Sequence, residues 1–271
     1  MTASDYLEFA YRTVVAAGAA TLPHFRVPIA VDDKGGAGYD PVTAADRDAE
    51  AVIRAAIAKA YPGHGIRGEE HGFERGSSRY TWAIDPVDGT RSFITGQLHW
   101  GMLVALHDGE RVVCGVSHQP YVGETFLAAT GGPARFRHAG TERILATRRC
   151  ASIGDAILAT TSPDLFDTPR RAEAFARVRS RVRLTRFGGD CYAYCLLAMG
   201  LIDVVIESGL HAWDIQALIP IVEGAGGVVS SWDGGNCEEG GELLACGDPA
   251  LAPAVRELLA DRRSSSGPPS R

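Results

Sequence analysis

The sequence predicts an α/β (α+β) fold in which an antiparallel N-terminal sheet is followed by a mixed C-terminal sheet, with helices covering both. Three observations carry that expectation. Two helical patterns come first, an antiparallel meander occupies residues 80–136, and strands alternate with helices after about residue 150.

The first helix is expected to open at Ser4, with Leu7, Tyr11, Val14 and Val15 at helical spacing and Gly18 continuing that face. The glycine-rich DDKGGAGYDP (32–41) reads as an exposed loop. Thr43 caps a second helix, with Asp46 completing a variant capping box, and Pro62-Gly63 ends it. In the meander, WAID, MLVALHDGERVVCGVS with Asp108-Gly109 at its centre, ETFLAAT and ARF read as strands. Beyond it, AILATT, RLTRFG, DVVIES, GGVVSSWDG and ELLACGD read as strands, with helices at 191–199 and 215–223. The chain is thus expected to form two packed halves, 1–147 and 148–261. The polar tail 262–271, RRSSSGPPSR from its first arginine, is expected to be disordered.

Composition narrows the function. With 271 residues, 45% of them hydrophobic and 22% charged, the chain can bury a substantial core. Its net charge of -6 argues against nucleic-acid binding, which favours a basic face. A phosphorylated small molecule stays compatible, because metal ions reverse the local field. No stretch is long and apolar enough for a membrane span, and MTASDYLEF lacks the basic flank of a signal peptide. Cys114, Cys150, Cys191, Cys195, Cys237 and Cys246 form no CxxC pair or zinc spacing, and Cys191 and Cys195 read as small buried residues. A cytoplasmic location is expected.

Acids recur where elements begin or end: Asp46 in VTAADRDAE, Glu69-Glu70 in IRGEEHG, Asp85 and Asp88 in IDPVDGT, and Asp214 in HAWDIQ. Any one of them alone reads as a cap or a solubilising charge. Asp85, however, ends an apolar strand, where an unpaired carboxylate is costly. Convergent carboxylates repel one another unless a cation neutralises them. A donor set of hard oxygens without His or Cys suits Mg²⁺. Gly89-Thr90 adds a helix start whose amides favour phosphate. Together these point to metal-assisted hydrolysis of a phosphate ester.

The ordered set D…GEE…DPVDGT…WD resembles the signature of the inositol monophosphatase superfamily, from the first helix to about residue 258. Val87 departs slightly, standing where Ile or Leu is commoner. The resemblance implies a layered α/β/α/β/α sugar-phosphatase fold, a homodimer, and two or three Mg²⁺ ions per site, with Mn²⁺ as a substitute. It implies that Glu69, Asp85 and the Val87 carbonyl hold one metal, and that Asp85, Asp88 and Asp214 hold a second. Thr90 with Asp46 would orient and deprotonate the attacking water, the Gly89 and Thr90 amides would bind phosphate, and Glu70 would support the site from behind. Attack would be direct and in line, with no phosphoenzyme.

The stretch 186–227, RFGGDCYAYC onward, is similar to the histidinol-phosphate phosphatase branch. Gly189 and Asp190 stand at a helix start and Glu207 closes the strand before Asp214. Acids beyond the metal ligands suit a cationic leaving group, and histidinol carries an ammonium and a titratable imidazole. The expected reaction is hydrolysis of L-histidinol phosphate in histidine biosynthesis. Two readings of Asp190 stay open, substrate contact and helix N-cap, and Glu207 could equally serve an inositol hydroxyl. The alternatives are an inositol-1-monophosphatase or broad sugar phosphatase and, more remotely, a non-catalytic regulatory protein, which would have lost ligand positions that here are all filled. Trp100, Trp213 and Tyr192 read as core residues before pocket residues. His211 is placed near the entrance and His71 in a loop. Lys34 resembles a basic flap residue of the family, with a solvated lysine as the alternative.

Overall fold

The computed structural model describes residues 1–35 and 41–260, so the tail expected to be disordered and part of the glycine-rich loop lie outside the described residues. The chain opens with α1 (Ala3–Thr21), a two-stranded ribbon of β1 (Val31–Asp33) and β2 (Pro41–Thr43), and α2 (Ala44–Ala60). An eight-stranded sheet follows, built from β3 (Gly65–Gly68), β4 (Gly72–Glu74), β5 (Thr81–Asp88), β6 (Gly101–His107), β7 (Val112–Gln119), β8 (Glu124–Ala129), β9 (Arg135–His138) and β10 (Thr141–Ile144). The short helix α3 (Thr90–Ile94) leaves β5. The spatial order is β10-β9-β8-β7-β6-β5-β3-β4. Every pairing in this sheet is antiparallel, as expected, except that β3 runs parallel to β5.

The second sheet contains β11 (Ile157–Thr160), β12 (Leu184–Phe187), β13 (Val204–His211), β14 (Val228–Ser231) and β15 (Gly240–Cys246), in the order β12-β11-β13-β15-β14. Its β11 pairs are parallel and the others antiparallel, which makes the sheet mixed. Helices α4 (Pro169–Arg179), α5 (Asp190–Ala198), α6 (Ala212–Ile215), α7 (Leu218–Gly224) and α8 (Ala252–Leu259) complete the chain.

Strand alternation divides these elements into five layers. On β5, Trp82 and Ile84 join Leu7, Val14, Ile53 and Ile57 of α1 and α2 in one core. Ala83, one residue out of phase, faces the opposite side and packs with Cys195, Leu197, Leu218 and Val222 of α5 and α7, between the sheets. A third core joins Val204, Ile206 and Leu244 of the second sheet to Phe175 and Val255 of α4 and α8. Each large apolar side chain buried this way contributes roughly 1.5–3 kcal/mol. The layering is α/β/α/β/α.

Two local expectations are corrected. The first helix is capped by Thr2 rather than Ser4: the Thr2 amide donates to Asp5 Oδ2 at 2.7 Å, and the Asp5 amide donates back to Thr2 Oγ1 at 3.3 Å. That reciprocal box satisfies two groups where Ser4 would satisfy one. The helix expected over 215–223 is broken into α6 and α7, because Ala217 is pressed against β7 at Gly115. A Cβ on Gly115 would lie 2.1 Å from the Ala217 carbonyl oxygen. Gly115→Ala is therefore expected to destabilise the protein by about 1–3 kcal/mol through overpacking. A lowered urea midpoint would register it, and an unchanged one would refute this close seam.

Candidate active site

The strand β5 carries two of the acids, and its irregularity decides where they point. Asp85 pairs with Leu103 but Asp88 pairs with Gly101, so β5 holds one extra residue over this interval. Residues three apart on a regular strand face opposite sides. A bulge at Pro86-Val87, where proline has no amide to offer the ladder, returns Asp85 and Asp88 to one side. That side is the inter-sheet layer, where α6 packs against β5 and delivers Asp214. Asp85, Asp88 and Asp214 each present a carboxylate oxygen, and these atoms lie within 4.8 Å of one another.

Such a group is under electrostatic stress. Charges this close repel by roughly 3–4 kcal/mol per pair at an effective dielectric of about 20. Burial, then Glu69, Asp88 and Asp214, push the Asp85 carboxyl well above the usual carboxylate range. Burial, then Asp190 and Asp214, do the same to Asp88, and burial pushes Asp214 up to about 7. An oxygen-only cluster held at such a cost fits a hard divalent cation.

Around the cluster the other acids fall into place. Asp46 is fully buried at the start of α2, and its Oδ2 accepts from the Thr43 amide at 2.9 Å and from the Thr43 hydroxyl at 2.5 Å. This leaves Oδ1 facing the Thr90 hydroxyl, 3.3 Å away. Thr90 Oγ1 also stands 3.1 Å from the Val87 carbonyl, so one hydroxyl proton serves either acceptor. Lys34 is not a solvated lysine: its ammonium lies 2.8 Å from Glu69 Oε1 and 2.6 Å from Glu70 Oε1. Burial would depress the Lys34 amine, but the two glutamates overcome it and hold the group protonated. Burial, only partly offset by Lys34, pushes Glu70 up to about 7.

Asp190 arrives from the far half of the sequence because Asp88 Oδ2 accepts the Cys191 amide at 2.6 Å, tying the start of α5 to β5. Gly189 occupies the N-cap position without a side-chain cap bond, and the Asp190 carboxylate instead accepts from Ser92 Oγ at 2.9 Å. The capping role is therefore not the one the side chain plays. Asp190 has φ 42°, a left-handed conformation that costs a non-glycine residue energy and clusters at functional sites. It lies against Gly89 (φ 84°), where an added Cβ would sit 3.1 Å from Asp190 Cγ and 2.8 Å from the His99 carbonyl oxygen. Glu207 is buried deeper: its oxygens accept from the Thr161 amide at 2.8 Å, the Thr161 hydroxyl at 3.1 Å and the Thr160 hydroxyl at 3.3 Å. Burial pushes it up to about 8 against those bonds, with Asp190 adding to the rise.

The profile of the inositol monophosphatase family matches residues 2–265. The chain belongs to the inositol monophosphatase family. It is 40% identical over 221 residues to the bifunctional phosphatase IMPL2, chloroplastic, of Arabidopsis thaliana, a match covering 81% of this chain and 62% of that protein's length. It is 33% identical to the histidinol-phosphatase of Chlorobaculum parvum, covering 94% of this chain and 95% of that protein. Among solved structures, an inositol monophosphatase from Zymomonas mobilis superposes with a TM-score of 0.85 at 37% identity, covering 96% of this chain and 99% of that one. The chain is accordingly a phosphomonoesterase, and the site just described is where its acids converge.

The remaining residues sort between the rim of this family member's site and its core. His211 and Trp213 stack at 4.7 Å and line, with Glu69, an open cavity of about 290 Å³, so Trp213 borders a surface cavity instead of the core. Trp100 is fully buried with Phe25 and Phe93, and the Tyr192 hydroxyl bonds to Glu124, which makes both packing residues. Cys191 and Cys195 are buried and unpaired. His71 is a half-exposed loop residue. Two participants were not anticipated. Ser92, buried on α3, orients Asp190. Glu50, buried on α2, accepts the amides of Glu70 and His71. The (i, i+4) pair Glu50–Arg54 is visible in the sequence, but that spacing is common on exposed helix faces and did not mark it.

Proposed function

We propose that this phosphatase hydrolyses L-histidinol phosphate to L-histidinol and inorganic phosphate, with Mg²⁺ as its cofactor. Glu69, Asp85 and the Val87 carbonyl, together with Asp88 and Asp214, would hold the metal. Bound there, it would acidify water and neutralise charge on the phosphate oxygens. The Thr90 hydroxyl, placed between Asp46 Oδ1 and the Val87 carbonyl, orients the attacking water. Asp46, whose carboxyl burial raises above its ordinary value, is suited to take up the proton. The Gly89 and Thr90 amides lie beside these groups and would receive the phosphate, while the Lys34 ammonium bridges Glu69 and Glu70 and holds both carboxylates together.

The observation that carries the substrate is the Asp190 carboxylate, spared from capping and held by Ser92 beside Gly89. Burial raises the Asp190 carboxyl, and Ser92, His99 and Arg91 offset this only in part; a cationic leaving group would complete the pairing, whereas a polyol would add only neutral hydrogen bonds. The likeness to a histidinol-phosphatase over nearly the whole chain supports the same reading. The second reading, an inositol-1-monophosphatase, is favoured by the Zymomonas mobilis structure and by Glu207, a carboxylate suited to a hydroxyl.

Phosphate release from histidinol phosphate and from inositol 1-phosphate separates the two. Asp190→Ala is expected to lower kcat/KM for histidinol phosphate by about 30-fold or more, the loss typical of truncating one partner of a buried charge pair, and to leave inositol 1-phosphate far less affected. Equal losses on both substrates, or a parent enzyme that prefers inositol 1-phosphate, would overturn the histidinol assignment.

A further inference from the structure

The turn between β3 and β4, residues 69–71, carries both Glu69 and Glu70, yet short turns with glycine on either side are poor at holding a side chain to one direction. Here each amide of the turn is occupied. The Glu69 amide donates to the Ile84 carbonyl of β5 at 3.2 Å. The Glu70 amide donates to Glu50 Oε2 at 2.8 Å and the His71 amide to Glu50 Oε1 at 3.2 Å. Arg54, one turn along α2, donates from Nε to Glu50 Oε1 at 2.6 Å and from its other end to the Gly72 carbonyl at 2.5 Å. Glu50 is fully buried. The approach is so close that a Cβ on Gly68 would fall 1.9 Å from Glu50 Oε1.

We propose that Glu50, braced by Arg54, is a positioning residue that aims the Glu69 carboxylate into the metal site through the backbone of the 69–71 turn. The inference rests on the metal-dependent reading above. Glu50 touches no reacting group; it acts on the peptide planes that set where Glu69 projects. A buried ion pair is weak evidence of stabilisation, because an apolar pair of the same shape often does as well. What an apolar pair could not do is accept two amides at once. Asp46 is the third residue of the same helix, so α2 fixes the proposed proton acceptor in its first turn and, through Glu50 one helical turn later, the metal-ligand turn.

The test is Glu50→Gln, with Arg54→Met as a second variant that spares the amide contacts but removes the brace. Gln keeps the size of the side chain yet can accept from only one of its two ends. Mg²⁺ binding is read by titration calorimetry, and melting temperature is read with and without Mg²⁺. In Glu50→Gln, Mg²⁺ affinity is expected to fall about 10–100-fold, the usual effect of losing a partner that orients a ligand. The Mg²⁺-induced rise in melting temperature should shrink, and kcat should recover at saturating Mg²⁺. Arg54→Met should show the same trend at smaller size. Mg²⁺ affinity within twofold of the parent in folded Glu50→Gln would overturn the proposal, as would an equal melting loss with and without Mg²⁺. Asp85→Asn serves as the reference: if it too binds Mg²⁺ like the parent, the metal reading itself fails.

Discussion

Asp85→Asn is expected to reduce metal-dependent phosphate release by about a thousandfold or more, equivalent to roughly 4 kcal/mol of lost transition-state stabilisation, while making the metal-stripped protein harder to melt. The two effects share one cause. Asp85 is 2% exposed and sits among Glu69, Asp88 and Asp214, so without a cation its charge is a liability. Asn keeps an oxygen where Asp85 Oδ1 accepts the Val87 amide at 3.0 Å, and the bulge that shapes the site is preserved. It removes the ionisable group and the repulsion with it. The melting temperature measured in chelator should therefore rise by several degrees above pH 7, in the way that active sites commonly exchange stability for function. Parent-level activity in this variant would remove Asp85 from the metal set. A lower melting temperature in chelator would contradict the repulsion.

The metal-stripped parent is expected to lose stability as pH rises from about 5.5 to about 8, a window set by proton linkage. In the folded chain burial raises Asp214 and Glu70 to about 7 and Glu207 to about 8, against ordinary values of 3.8 for Asp and 4.5 for Glu. Across that interval the folded state keeps protons the unfolded state has released, so raising the pH favours unfolding. Acids with lowered values, such as Asp203 beside Arg148, act in the opposite sense but below this window. His118, which burial pushes down from 6.5 to about 4, opposes the trend only at its acid end and is outnumbered by the raised acids. Urea midpoints in chelator should fall with pH, and Mg²⁺ should restore the midpoint much more at the alkaline end. Coincident midpoints at both pH values would show that the buried acids are not raised.

Much of this was legible in the residues, and what was not has physical reasons. Asp108-Gly109 marked the β6–β7 hairpin, and Thr43 with Asp46 marked the start of α2. The strands β3 and β4, GIRG and GFE, are short, glycine-bearing and without alternation, so no local signal distinguished them from loop. β10 is wholly exposed and belongs to the sheet only through its pairing with β9. In the site, the acids of IDPVDGT stood out because carboxylates beside an apolar strand are costly. The union of Asp190 with that segment depends on two bonds between distant residues, Cys191 amide to Asp88 and Ser92 hydroxyl to Asp190, 103 and 98 residues apart, which no local pattern can announce. Glu50 was hidden for the opposite reason, in that an ordinary helical Glu–Arg spacing concealed a buried clamp.

The seam at Gly115 and Ala217 bears on how such a protein can be inherited. Asp85 and Asp88 come from the eight-stranded sheet and Asp214 from a helix that follows the last strand but two of the five-stranded one. Backbone pressed on backbone seats the junction of α6 and α7 on β7, and α6 carries Asp214 to the two acids of β5. No contiguous fragment from either side of the seam carries a complete cation cluster. Recombination that exchanged one sheet for a distant relative's would have to match the seam before it could conserve the chemistry. The heritable unit of this activity is the whole layered chain.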